Sequence, residues 1–299
     1  MSKSSPAVLS DVKDIRAFIS LVKKDGGSYA AADLEEAIIR IARNQKEKAL
    51  FDVLRSLRTT PTVSVEHFRA CVFEALKAEG INFAMKEEVK EVGGFCGNTA
   101  LLWGIANANN DCVSYYLEFA KIHNLDIGID LRSAYKNTAL HLAVVKGYEH
   151  TSKDGDIFAV SNLELIGRLI DLGANVNIKD SRDFTALDLA VIRRHIEMVE
   201  TIIKSPTTTE ETIVNALQIF DKYSSLDECN KALSAYINFS EKFLPAEENF
   251  FTKKNNEEIK GILDRKILFL KSVQCPVGSV VNALHVLALD GNKKEGGPR

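Results

Sequence analysis

Apolar residues recur along this chain at three- and four-residue spacing, which is the period of amphipathic helices rather than strands. The front of the chain carries four such runs, predicting helices over 11–24, 33–44, 46–58 and 65–78, the last ended by Gly80. The second opens with Asp33-Leu34-Glu35-Glu36, an aspartate cap and acidic first turn that suit the exposed amides of a helix start. Thr60-Pro61-Thr62 breaks the pattern. Behind Ser205-Pro206 the same period predicts helices over 210–223, 226–244 and 247–273, with Asn255-Asn256 a candidate interruption of the last. Apart from short extended connections, no run shows convincing strand alternation.

One phrase recurs in the middle of the chain. It reads Asn98-Thr99-Ala100-Leu101-Leu102-Trp103, then Asn137-Thr138-Ala139-Leu140-His141-Leu142-Ala143, then Phe184-Thr185-Ala186-Leu187-Asp188-Leu189-Ala190. The threonines lie 39 and 47 residues apart. Helical spacing follows the first copy at Cys112, Val113, Tyr116 and Leu117, and the third at Ile196, Val199, Ile202 and Ile203. Before the third stands Gly173-Ala174-Asn175-Val176-Asn177, where the glycine suits a left-handed helix stop.

These residues resemble the ankyrin repeat, whose pattern is Gly-x-Thr-Pro-Leu-His-x-Ala-Ala, a second helix, then Gly-Ala-Asp-Val-Asn. The resemblance covers about 94–205. It implies an all-α fold: an ankyrin-repeat solenoid of about three clear repeats between N- and C-terminal helical segments. The expected division is a helical or degenerate-repeat segment 1–92, repeats 93–205, a helical segment 206–290 and a tail 291–299. The spacings exceed the ~33 residues of the family. The first excess falls near 120–126, where the second helix runs on; the second falls between Gly147 and Leu163 and splits a helix pair. Alanine replaces the proline that opens the first helix in all three copies, and alanine keeps the helix. The family's histidine, which ties neighbouring turns together, is kept only as His141; Leu102 and Asp188 replace it.

The 299 residues are 45% apolar and 26% charged, with a net charge of −3. This balance gives no electrostatic case for nucleic acid. No window reaches the ~20 apolar residues of a membrane span, and no signal pattern opens the chain, so a cytoplasmic monomer is the expectation. The five cysteines are unpaired in spacing, which argues against a disulfide framework or zinc site. His141 reads as the structural histidine of the family. Asp154-Gly155-Asp156 lacks the remaining ligands of a calcium loop, and the glycine pairs lack a phosphate-cradle context. No catalytic residue, metal or cofactor is therefore expected.

What remains is surface. The resemblance implies another protein as partner, held through turn tips and the concave groove. Carried over by register, the binding positions are Phe95, Asn98, Tyr135, Asn137, Lys146, Arg182, Phe184 and Arg193. Short, irregular arrays with long insertions also look like the effectors that intracellular bacteria such as Legionella deliver into the host cytosol. The competing reading is an enzyme, a cysteine hydrolase or transferase, housed in a helical flank with the repeats recruiting its substrate. Cys96, in the Gly93-Gly94-Phe95-Cys96-Gly97 turn, is the first thiol to weigh for that role.

Overall fold

The computed structural model of the protein describes residues 9–25, 29–56, 65–86, 97–107, 109–151, 157–234 and 251–274. Among these, helices α1 (Ile15–Asp25), α2 (Ala31–Gln45), α3 (Glu47–Ser56) and α4 (Val65–Ala78) form the front of the chain. Next come α5 (Ala100–Ala106), α6 (Asn110–His123) and α7 (Ala139–Val145). Strands β1 (Gly147–Thr151) and β2 (Ile157–Ser161) separate α7 from α8 (Leu163–Asp171). Then follow α9 (Ala186–Ile192), α10 (Ile196–Ile203), α11 (Glu210–Lys222), α12 (Leu226–Ser234) and α13 (Lys253–Gln274).

The helices lie in two rows. The inner row stacks α1, α3, α5, α7, α9 and α11 in order, and the outer row stacks α2, α4, α6, α8, α10 and α13. Each inner helix packs against the outer helix of its own pair, so six pairs follow one another. The reason is legible in each helix. The stripe Leu34, Ala37, Ile38, Ile41 and Ala42 on α2 is buried, as is Phe68, Val72, Phe73 and Leu76 on α4. A single stripe of this kind must be covered, and the next pair covers it. Gly104 lets α5 lie close against α6, since a Cβ there would stand 2.6 Å from the Val113 side chain.

The three phrase threonines each start an inner helix. Thr99, Thr138 and Thr185 adopt extended backbone and accept a hydrogen bond from the amide three residues on. Thr209 does the same for α11, a fourth start of the same kind. Alanine at the proline position leaves every helix intact. The excess near 120–126 is a longer α6, stopped by Asn124 in the left-handed region. Gly173 ends α8 at φ +89°, with the Ala174 amide donating to the Leu169 carbonyl.

Two expectations need correction, and two others reach beyond the described residues. The excess between Gly147 and Leu163 is an antiparallel hairpin, with Gly147 opposite Ser161 and Thr151 opposite Ile157. Its segments carry β-branched and aromatic residues but are only five residues long, too short for alternation to stand out beside a dominant helical period. Asn162 closes the root of the hairpin: its amide donates to the Lys146 carbonyl at 2.9 Å, and its Oδ1 accepts from Asn110 at 2.6 Å. Asn255-Asn256 does not interrupt the last helix but lies in its first turn, where Thr252 Oγ1 accepts from the Asn255 amide. The predicted helix over 226–244 is described only as α12, and the phrase-like stretch at 282–288 lies outside the described residues.

Candidate partner-binding surface

Each inner helix of the middle repeats is preceded by a tight turn. In the second repeat the Ser133 amide donates to the Asn137 carbonyl, and Lys136 holds φ +60°. In the third the Asp180 amide donates to the Phe184 carbonyl, and Asp183 holds φ +63°. Asp180 Oδ1 also accepts from the Arg182 and Phe184 amides, at 2.8 and 3.0 Å. The Ser181 amide donates to the Tyr135 carbonyl at 3.2 Å, so the two tips are fastened side by side.

The tips present Arg132, Ala134, Tyr135, Lys136, Ser181 and Asp183 to solvent, with Tyr135 42% exposed. Beside them is an open cleft of about 610 Å³ lined by Arg132, Lys136, Lys179, Asp183 and Glu211, among others. Lys179 and Glu211 pair across it at 3.2 Å, an exposed contact of little energetic weight. An aromatic flanked by cations of both repeats has the composition of a binding hot spot. Arg132, Lys136, Lys179 and Glu211 were not among the residues carried over by register. Their only sequence signal is a charge next to a turn tip.

Of the eight residues expected to bind, Tyr135 and Arg182 reach the surface, the latter half-buried. Phe95 lies outside the described residues, as does Cys96. Asn98, Asn137, Lys146, Phe184 and Arg193 are buried. Asn98 and Asn137 immediately precede capping threonines, and the Asn137 backbone closes its turn on Ser133. The Phe184 ring meets Tyr223 edge-on at 6.1 Å and lies under the Arg182 guanidinium. Arg193 turns back to the previous repeat, its Nη1 donating to the Val144 carbonyl at 3.1 Å.

Every residue of α7 and of α9 is buried, so neither helix offers an open face. Leu142, Val145, Leu189 and Ile192 are all buried. On α9, whose flanks touch α7 and α11 and whose back touches α10, the remaining side is taken by α12. Arg182 Nη1 donates to the Ala232 carbonyl on that helix at 2.6 Å. Register alone could not reveal this at α9, because the covering helix α12 comes from a distant stretch of chain.

The buried polar groups are positioning devices. His141 Nε2 lies 2.9 Å from the Phe184 carbonyl and Nδ1 lies 2.8 Å from Thr138 Oγ1, which ties the second turn to the third. Burial lowers the His141 pKa, so the neutral ring is the stable form. Asp188 Oδ2 accepts from the Thr185 amide and hydroxyl and from Asn215, while Oδ1 has no partner. Burial raises its carboxyl to about 6. The Lys146 ammonium is fully covered without a hydrogen-bond partner, and burial pulls it down to about 7. Arg194 takes the left-handed region at φ +56° and donates to the Phe220 and Tyr223 carbonyls, with its guanidinium 3.7 Å from the Phe220 ring centroid.

The described thiols do not have the character of nucleophiles. Burial pushes Cys112 up to about 12 and Cys229 up to about 11, and it also raises Cys71. No group of three metal-ligating side chains converges among the described residues, and none of their helices is long and apolar enough to cross a membrane.

A family model described as ankyrin repeats (many copies) matches residues 159–203. That segment runs from the end of the hairpin through α8, α9 and α10, and the match supports an ankyrin-repeat class for the chain. No curated protein matches the chain at a significant level.

Proposed function

We propose that this protein is a protein-binding module, an ankyrin-type solenoid that recognises its partner through the turn tips of the second and third repeats. The ankyrin match supports an interaction role in general. The observation that carries the finer reading is the exposed Tyr135 between Arg132 and Lys136, on a tip fastened to its neighbour by the Ser181–Tyr135 hydrogen bond. A tip fixed in this way loses little conformational freedom on binding. With every residue of α7 and α9 buried, the tips and the cleft beside them are the accessible edge of these two inner helices. On this reading Tyr135 and Arg182 remain binding residues. Asn98, Asn137, Lys146, Phe184 and Arg193 support the tips from beneath.

The short array, the long insertion and the helical flanks fit the resemblance to effectors of intracellular bacteria, with a host protein as partner. The test is affinity capture with the whole chain against an Arg132→Glu, Tyr135→Ala, Lys136→Glu chain of unchanged thermal stability. The reading expects specific partners to be lost from the altered chain. Equal capture by both chains contradicts it. Capture from host-type lysate, with none from bacterial lysate, is the outcome expected of an effector.

A further inference from the structure

We infer that the partner segment received by the turn tips is acidic, its carboxylates falling on the tip of the second repeat among Lys86, Arg132 and Lys136. The inference rests on the turn-tip reading and deepens it by giving the partner a chemistry.

The second and third tips are built alike and charged differently. Counted back from the capping threonines Thr138 and Thr185, Arg132 aligns with Lys179 and Lys136 aligns with Asp183. Lys136 and Asp183 hold the same left-handed backbone, at φ +60° and +63°. On the third tip the cation is already spent, because Lys179 pairs with Glu211 at 3.2 Å, and Asp183 is an exposed anion. On the second tip Arg132 and Lys136 are both exposed, and no carboxylate among the described residues pairs with either.

Lys86 brings a third cation from the side of the first repeat. Its backbone bridges Thr99, and its stem passes over Gly97, where a Cβ would stand 3.8 Å from the Lys86 Cδ. Its ammonium donates to the Arg132 carbonyl at 2.9 Å. An ammonium has three donors, so two remain for a ligand. The neighbouring carboxylates are turned to backbone amides. Asp130 Oδ1 accepts from Asn175 at 2.9 Å, and Asp180 Oδ1 accepts from Arg182 and Phe184.

The whole chain carries a net charge of −3, so three exposed cations on one tip do not reflect a generally basic protein. A guanidinium takes a carboxylate through two parallel hydrogen bonds, and ammonium groups on either side suit a run of acidic side chains. A nucleic-acid strand fits less well. Its charge is continuous and would run onto Asp183 and Glu211, whereas a peptide can confine its acids to one end. The acidic end of the partner segment therefore lies over the second tip, and its remainder extends towards the third.

The test selects peptides from a phage-displayed random library on the immobilised full-length chain and measures their affinity in solution by fluorescence anisotropy. Clustered Asp and Glu are expected in the selected peptides, with binding about tenfold weaker to Lys86→Gln, Arg132→Gln, Lys136→Gln combined. Lys121→Glu, at an exposed cation of α6, should change nothing. Asp183→Lys should tighten acidic-peptide binding about threefold. The aligned Lys136 shows that this backbone accepts lysine. Selected peptides that lack acidic residues and are lost with Tyr135→Ala overturn this inference and leave the turn-tip reading standing. Acidic peptides that bind the triple variant and Asp183→Lys no differently from the unaltered chain overturn it by placing the acid-binding site elsewhere. Failure to enrich any peptide overturns it, as does a single-stranded oligodeoxythymidine that binds more tightly than the selected peptides and displaces them. Should the triple variant fail to fold, the direction of the Asp183→Lys change decides.

Discussion

The second and third repeats share one phrase, and three of their aligned differences decide how each joins its neighbour: His141 against Asp188, Lys146 against Arg193, and Gly147 against Arg194. Both capping boxes are built, each with its threonine and the side chain three residues on. The imidazole has a second nitrogen and reaches the next turn at Phe184. The carboxylate has no proton to donate at neutral pH, so the link forward is made by the Asn215 amide of α11 instead. After the first helix, Gly147 leads into the hairpin. At the same position Arg194 turns the chain directly into α10 and clamps the end of α11. The third repeat thus joins its neighbour through side chains reaching forward, while the second joins it through the histidine. A repeat can lose the family's histidine and remain in the row if another donor takes over the link.

Breaking these links in turn tests the comparison. Arg194→Ala removes two charge-assisted hydrogen bonds and puts a Cβ-bearing residue without them at positive φ. It should cost about 3 kcal/mol in denaturant unfolding, and Arg194→Gly somewhat less. His141→Ala leaves the Phe184 carbonyl and the Thr138 groups short of a buried partner. The expected loss is about 2–3 kcal/mol, larger than for Asp188→Ala measured alongside it.

The two residues should also titrate in opposite senses. Asp188 is raised in the fold, so its contribution is present below the ordinary carboxylate range and lost as pH rises through about 6. His141 is lowered in the fold, so its contribution is present above the ordinary histidine range and lost as pH falls through its depressed value. Asp188→Asn keeps the accepting oxygen without the charge. Its unfolding midpoint should exceed that of the unaltered chain at pH 7, and the two should converge near pH 4. Lys146→Met removes an unpartnered buried amine and should stabilise by on the order of 1 kcal/mol at neutral pH. Smallest of all, Tyr135→Ala should change stability by less than about 0.5 kcal/mol in the same assay, as expected of an exposed tip.

Much of the helical framework was legible because its signals are local. The recurring Thr-Ala-Leu marked three inner helices, and the apolar period over 65–78 matched α4 at both ends. The start of α11 was legible too, but not its likeness to the three phrase starts, because no Ala-Leu follows Thr209. The site was far less legible. Lys146 and Arg193 occupy register positions that face outward in a bare repeat, and a charge there reads as surface. Their burial depends on what covers the inner row, and α12 reaches α9 from some forty residues away. Tyr135 was legible because a turn tip stays exposed whatever packs beneath it.

Hydrogen–deuterium exchange of the full chain, alone and saturated with a captured partner, tests the central claim most directly. The account predicts slower exchange in the complex at residues 132–136 and 179–183, where the tips and the cleft would be covered. Unchanged exchange at both tips, with protection elsewhere on the chain, would contradict it.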